Sequence, residues 1–185
     1  MLTFRRLPVP LRCLLLVAVT SFQVQAQLNP TDSPKVTDTT HDITYVGVST
    51  TPGVEKYLNI PYGKDTSGQR RFKAPEPVEL PAGTVYDATK HGSICPQTAG
   101  DDMSEDCLRL IVARPTPGGE GWREGKKLPV MVWIYGGGLF DGSINDGRYD
   151  PDAFILQSVA NKLPVMFVAM NYRLNIFGFA SSSVE

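Results

Sequence analysis

The chain has 185 residues, of which 42% are hydrophobic and 20% are charged, and its formal net charge at pH 7 is −1. These values are typical of a globular domain, or of a piece of a larger one, and they exclude a low-complexity or disordered chain. The densest basic clusters are the pairs Arg70-Arg71 and Lys126-Lys127. Pairs of this size do not make a nucleic-acid-binding surface, so we expect no nucleic-acid partner.

Residues 1–26 have the three parts of a secretory signal peptide. Three arginines form a basic start, residues 13–19 are uncharged and apolar, and a Val-Gln-Ala sequence ending at Ala26 offers a cleavage site. The apolar run is shorter than the roughly 20 residues that a membrane-spanning helix needs. We therefore predict cleavage near Ala26, secretion and no stable membrane insertion. An uncleaved signal anchor is the alternative.

The next segments are expected to be a tail followed by short strands. Residues 27–40 are polar and Pro-rich and predict an N-terminal tail. The alternation of apolar and polar residues in His41–Thr50 predicts a strand of an antiparallel sheet. Val54–Ile60 predicts a second strand, paired with the first across a Pro-Gly turn. Residues 64–83 predict a loop, and residues 85–88 predict one more brief strand.

The second half of the chain alternates strands with a helix. Leu108–Ala113 is strand-like, and Pro129–Tyr135 and Val165–Met170 are continuously apolar, as expected for strands covered on both faces. Asp150 is a candidate N-cap for a helix over Pro151–Lys162. A strand, a helix and a strand in this order predict a right-handed crossover in an α/β sheet with a parallel portion.

In an exported protein, the cysteines that remain after signal cleavage favour a disulfide. Cys13 lies in the signal segment, which leaves Cys95 and Cys107 as an even pair that favours a disulfide over two free thiols. No group of cysteines and histidines has metal-ligand spacing, and His41 and His91 are interpreted as surface residues. We predict no metal site and no cofactor.

Three consecutive glycines, Gly136, Gly137 and Gly138, follow the strand predicted at Pro129–Tyr135. Backbone N–H groups in such a turn can stabilise the oxyanion formed during ester hydrolysis, and glycine lets the substrate approach closely. A turn without catalytic function is the alternative. A phosphate-binding loop is disfavoured because no Lys-Ser/Thr pair follows and no helix begins at once. The sequence contains no Gly-x-Ser-x-Gly, so we predict no catalytic triad within residues 1–185.

Five segments in order resemble motifs of the type-B carboxylesterases, which include cholinesterases and fungal lipases. They are Tyr57–Gly63, Arg71–Pro77, Ser104–Leu110, Trp133–Gly138 and Asn171–Phe179. The resemblance covers about residues 41–180 and matches the N-terminal third of the family. It implies an α/β class: the N-terminal part of an α/β-hydrolase fold, truncated, with a small antiparallel sheet before the first strands of the central mixed sheet. The partial domain is expected at residues 41–185.

The resemblance also implies roles for single residues. Gly137 and Gly138 would present the oxyanion-hole amides, and Gly136 would support the turn. Cys95 and Cys107 would close the loop that forms one wall of the active-site gorge, or the lid in lipases.

An ion pair is expected beside this loop. The resemblance implies that Arg71 and Glu105 form a buried pair that anchors the loop, and two solvated charges are the alternative.

The substrate class follows from a departure from the family. The short Cys95–Cys107 loop contains no aromatic residue, which disfavours a choline ester because a quaternary ammonium prefers an aromatic face. A small or medium carboxylic ester is therefore the expected partner of the full-length form. Residues 1–185 are expected to be an inactive N-terminal fragment of a secreted esterase. A non-catalytic cholinesterase-like binding module and a non-functional truncated product are the alternatives.

Overall fold

The computed structural model describes residues 33–119, 122 and 124–181. The strands are β1 Lys35–Asp38, β2 Ile43–Val46, β3 Val54–Pro61, β4 Val85–Asp87, β5 Arg109–Pro115, β6 Val130–Trp133 and β7 Met166–Met170. The helices are α1 Asp152–Ala160 and α2 Asn175–Phe179, with 3-10 turns at Gly68–Arg70 and Gly147–Tyr149. The predicted signal peptide lies outside the described residues. In the part that is described, no helix has the length and apolar character to cross a membrane.

The small sheet has the strand order β1-β2-β4. β1 pairs antiparallel with β2, whereas β4 pairs parallel with it, so the expected antiparallel sheet is mixed. The brief strand predicted at residues 85–88 is confirmed by β4. β1 falls within the predicted tail 27–40, so the tail prediction is wrong for Lys35–Asp38. Three of these four residues are polar, and only every second side chain of the strand is partly covered.

The central sheet has the order β3-β5-β7-β6 and is mixed, as the resemblance implies. β3–β5 and β5–β7 are antiparallel, and β7–β6 is parallel. The predicted hairpin of β2 with β3 is wrong, because only an isolated bridge joins Val48 to Lys56. Residues 54–57 of β3 are buried in succession, so the strand needs cover on both faces and belongs to the central sheet.

The predicted strand–helix–strand unit is present as β6, α1 and β7. α1 begins at Asp152 and its N-cap is Pro151, which makes no side-chain capping bond, so the N-cap prediction for Asp150 is wrong by one residue. The Asp150 carboxylate still caps the first turn from just outside the helix, because it accepts the Asp152 N–H at 2.9 Å. The helix buries Ile155 and Ser158, whereas Phe154 is exposed. Fewer of its apolar residues reach the core than the sequence suggests.

The core lies between α1 and the central sheet. Its buried members are Val54, Ile111, Ala113, Tyr135, Ile144, Ile155, Phe167, Ala169 and Leu174. β6 is at the sheet edge, and its Val130 and Val132 side chains are 55% and 53% exposed. The face of β6 that carries these two valines is therefore uncovered within the described residues.

Candidate active site

The glycine turn leaves the end of β6 on the exposed side of the molecule. Gly137 and Gly138 have φ of 133° and 63°, which L residues adopt at a cost, and Leu139 follows at 69°. A Cβ at Gly137 would overlap the carbonyl oxygen of Asp141. Only glycine fits at Gly137, because both the conformation and the neighbouring backbone exclude a side chain.

The turn carries hydrogen-bond donors that the protein does not use. Among the described residues, the N–H groups of Gly137 and Gly138 donate to no protein acceptor. The Gly137 carbonyl is engaged, since it accepts the N–H groups of Phe140 at 3.1 Å and Asp141 at 3.3 Å. The turn thus holds its own shape through a carbonyl and leaves two successive amides free for a ligand.

Tyr135, directly before the glycines, is buried at the base of the turn. Its ring stacks on Tyr172 with a centroid distance of 4.5 Å and an interplanar angle of 16°. Burial raises the pKa of the Tyr135 phenol well above its ordinary value, so the hydroxyl stays protonated and can donate.

The predicted disulfide between Cys95 and Cys107 is confirmed, and both cysteines are fully buried. The loop that it closes lies beside the glycine turn. Residues 97–99 of this loop and Gly137 line the same open cleft of about 710 Å³. The loop therefore forms one side of the space in front of the turn.

Arg71 and Glu105 form a two-point ion pair at the far side of this loop. Arg71 Nε lies 2.8 Å from Glu105 Oε1, and Nη2 lies 2.5 Å from Oε2. Hydrogen bonding to Glu105 raises the pKa of Arg71. The Arg71 side chain is 46% exposed and that of Glu105 is 13% exposed, so the expected burial is wrong for the arginine.

The two faces of the turn differ in polarity. The cleft beside the disulfide loop also contains Asp141 and an ion pair between Asp146 and Arg148, which lowers the pKa of Asp146 through its hydrogen bonds. The other face borders a cleft of about 480 Å³ with apolar lining that includes Leu139 and Phe179. No group of three or more potential metal ligands occurs within the described residues.

The model of the carboxylesterase family matches residues 44–185. The chain belongs to the carboxylesterase family. It is 44% identical over 156 residues to a secreted lipase of Arthroderma benhamiae, covering 81% of this chain and 27% of the lipase. It is 42% identical over 160 residues to an inactive carboxylesterase-like protein of Byssochlamys spectabilis, with the same coverage of both chains.

The fold comparison agrees with the sequence comparison. A solved thermophilic pNB esterase superimposes with a TM-score of 0.68 at 37% identity, covering 82% of this chain and 30% of the esterase. The chain spans about a quarter of the length of the curated relatives that it matches. The expected N-terminal part of an α/β-hydrolase fold is confirmed.

Residues that position the turn were not identified from the sequence. Asn171 follows β7 and is almost fully buried. Its side chain accepts the Ile144 N–H at 3.0 Å and donates to the Ser93 carbonyl at 3.3 Å. The sequence signal that could have identified Asn171 is a polar residue directly after an apolar strand. Residues 171–174 connect β7 to α2.

Proposed function

We propose that this chain supplies the oxyanion hole of a carboxylic ester hydrolase with a serine nucleophile. The observation that carries the proposal is the pair of free amides at Gly137 and Gly138 on an exposed turn. In α/β-hydrolases such a turn gives one donor and the residue after the nucleophile gives another.

The chemistry requires donors that are in place before charge develops. Attack on the ester carbonyl moves negative charge onto its oxygen, and N–H groups about 2.7–3.1 Å away stabilise that charge. Losing one donor costs about 10²–10³ in turnover. The N–H groups of Gly137 and Gly138 act as these donors, and Gly136 supports the start of the turn after β6.

The nucleophile is not among these residues. The sequence holds no Gly-x-Ser-x-Gly, and the serines at 181–183 do not sit in such a motif. A serine, a histidine and an acid are all needed for turnover. In this proposal residues 1–185 by themselves have no esterase turnover.

The substrate proposed is a small or medium carboxylic ester. The loop closed by Cys95 and Cys107 spans a separation of 12 residues and contains no aromatic ring that could face a quaternary ammonium. A loop of this length is also too short to serve as a long mobile flap over a lipid chain.

The protein acts outside the cell in this proposal. The segment 1–26 has the composition of a cleaved signal, the disulfide suits an oxidising compartment, and one relative is a secreted lipase. Mass spectrometry of the protein secreted by a fungal or yeast host tests this, and a start near Gln27 is expected. Retention of residues 1–26 contradicts it.

A chimera tests the catalytic proposal without requiring any further sequence of this protein. Residues 44–185 replace the aligned segment of the pNB esterase, which keeps the remainder of its own chain. We expect the chimera to hydrolyse p-nitrophenyl acetate and butyrate faster than long-chain triglyceride emulsions. A chimera that folds, as judged by circular dichroism and a cooperative thermal transition, but has no esterase activity contradicts the proposal.

A non-catalytic carboxylesterase-like module is the second candidate. The missing nucleophile motif and the similarity to an inactive carboxylesterase-like protein favour it. Sequencing the transcript that encodes this chain separates the possibilities. An in-frame elbow with serine supports the enzyme, an elbow without serine supports the module, and a stop directly after Glu185 supports a non-functional product.

A further inference from the structure

We propose that Gln97 is a positioning residue that holds the glycine turn in place from the disulfide loop. The proposal rests on the oxyanion-binding function proposed for that turn. Gln97 Nε2 donates to the Gly142 carbonyl at 3.1 Å, and Gln97 Oε1 accepts the Gly142 N–H at 3.0 Å. One side-chain amide therefore satisfies both backbone groups of one residue, as a neighbouring strand would.

Gly142 closes the turn that begins at Gly136. Its φ is 115°, and a Cβ there would lie 2.5 Å from Cδ2 of Tyr135 and 2.7 Å from the Gly136 carbonyl oxygen. Gly142 thus packs directly against the residues at which the turn starts. A Cβ at Gly137 would likewise overlap the carbonyl oxygen of Asp141, the residue before Gly142. Displacement of Gly142 therefore displaces the Gly137 amide.

The disulfide loop is a firm support for this contact. Gln97 lies two residues after Cys95, and its Nε2 also donates to the Cys95 carbonyl at 3.1 Å. The other end of the loop is held by the Arg71–Glu105 pair. The Gln97 side chain is thus anchored to the disulfide-bonded Cys95 as well as to the glycine turn.

Asn175 adds a second tie between the same two segments. Its Nδ2 donates to the Pro96 carbonyl at 2.9 Å, and its N–H donates to the Leu139 carbonyl at 2.8 Å. Leu139 is the residue directly after the glycines. The turn is therefore connected to the disulfide loop at Leu139 and at Gly142, on both sides of its tip.

The chemistry at Gln97 requires an amide. A methionine has a similar length but can neither donate to nor accept from Gly142 in this way. A glutamate keeps an acceptor for the Gly142 N–H, but when ionised it places negative charge against the carbonyl oxygens of Gly142 and Cys95. A protonated glutamate regains a donor, so its effect on the turn depends on pH.

The first measurement is hydrogen exchange in the secreted chain. In Gln97→Met we expect the Gly142 amide to exchange about tenfold faster than in the wild type, because a partly buried N–H loses its acceptor. Gln157→Met is the matched control, since among the described residues the exposed Gln157 side chain bonds only that of Asn161. Unchanged Gly142 exchange in Gln97→Met overturns the proposal.

The second measurement is turnover in the pNB esterase chimera. We expect Gln97→Met to lower kcat for p-nitrophenyl acetate about tenfold with KM within about twofold, because only the developing oxyanion uses the turn. For Gln97→Glu, kcat relative to the unsubstituted chimera should rise as the pH falls towards the usual carboxyl pKa of about 4.3. An active chimera with unchanged kcat in Gln97→Met overturns the proposal.

The two measurements separate this inference from the proposed function. If the unsubstituted chimera is folded but inactive, the function proposal fails, and faster Gly142 exchange in Gln97→Met still supports the positioning role. If Gln97→Met does not fold, Gln97→Glu provides the exchange measurement. Its Gly142 amide is expected to keep most of its protection, because the carboxylate still accepts the Gly142 N–H. Loss of cooperative unfolding in Gln97→Glu as well overturns the local role.

Discussion

Tyr172 and Tyr135 bond to each other's backbone where two parallel strands end. The Tyr172 hydroxyl donates to the Tyr135 carbonyl at 2.8 Å, and the Tyr135 hydroxyl donates to the Tyr172 carbonyl at 3.3 Å. Since Tyr135 immediately precedes Gly136, the pair joins the exit of β7 to the start of the glycine turn. The two rings stack on each other with their centroids 4.5 Å apart, so the pair is held by ring contact as well as by the two hydrogen bonds.

Substitution of Tyr172 tests this pair. Tyr172→Phe keeps the stacked ring but leaves the carbonyl of buried Tyr135 without its hydroxyl partner, so we expect the free energy of unfolding to fall by about 1–3 kcal/mol. Urea denaturation of the secreted chain at low concentration measures this. Tyr45→Phe is the control, because its hydroxyl has no hydrogen bond within the described part of the chain. Equal midpoints for the two variants would rule out the pair as a stabilising contact.

The cap of α1 predicts a pH-dependent stability. Burial pushes the pKa of Asp150 up, but the Asp152 N–H and the Lys56 ammonium outweigh it and hold the pKa below its ordinary value. The stabilisation is therefore present above the unfolded pKa of about 3.9 and is lost as the pH falls through the lower folded value.

Asp150→Ala is the variant that tests the cap. We expect it to lower the free energy of unfolding at pH 7 by at most about 1 kcal/mol, since Asp150 is half-exposed and solvent weakens its charge interactions. The difference from the wild type should shrink at acid pH, where Asp150 is protonated in both states. A difference that is constant across this range contradicts the assignment of the cap to the ionised carboxylate.

The exposed face of β6 predicts self-association. Val130 and Val132 lie on one face of an edge strand, and such edges pair with other chains unless a charge interrupts them. We expect the secreted chain to form larger species as its concentration rises, and Val132→Lys to reduce this. Size-exclusion chromatography with light scattering provides the measurement. Equal association of both forms would show that this face is not the contact.

The missing nucleophile gives a direct chemical prediction. A serine-directed fluorophosphonate should not label residues 1–185 stoichiometrically, because no serine lies in a Gly-x-Ser-x-Gly motif. The pNB esterase labelled under the same conditions is the positive control. One fluorophosphonate bound per chain, located by peptide mass spectrometry, would mean that a serine outside such a motif is activated.

Periodicity predicted the strands and the main helix of this chain but not their partners. β6, α1 and β7 were expected from apolar runs and a capping Asp150, and β6 and β7 pair in parallel as the crossover implies. β3 was assigned to a hairpin because Pro-Gly precedes it, yet burial of successive residues draws it into the central sheet. Residues close in sequence suggest a hairpin, whereas the strand that actually pairs with β3 lies far along the chain and cannot be read from its neighbours.

The glycine turn illustrates the same limit at the site. Three glycines after an apolar strand predict a turn that can expose amides, and the positive φ of Gly137 and Gly138 agrees with that. The contact of Gln97 with Gly142 spans 45 residues of sequence, and nothing local indicates it. Polar side chains that bond to distant backbone are set by the folded geometry, so spacing alone could not identify them.

The central claim is that the Gly137 amide stabilises developing negative charge, and kcat of glycine variants in the pNB esterase chimera tests it most directly. Gly137→Ala disturbs the turn, whereas Gly147→Ala adds the same methyl group in open space at an ordinary φ. For p-nitrophenyl acetate we predict that Gly137→Ala lowers kcat by about 10²–10³, with KM little changed and the fold retained by circular dichroism. Gly147→Ala should stay within about twofold of the unsubstituted chimera. A Gly137→Ala chimera that keeps the kcat of the Gly147→Ala chimera would contradict the account.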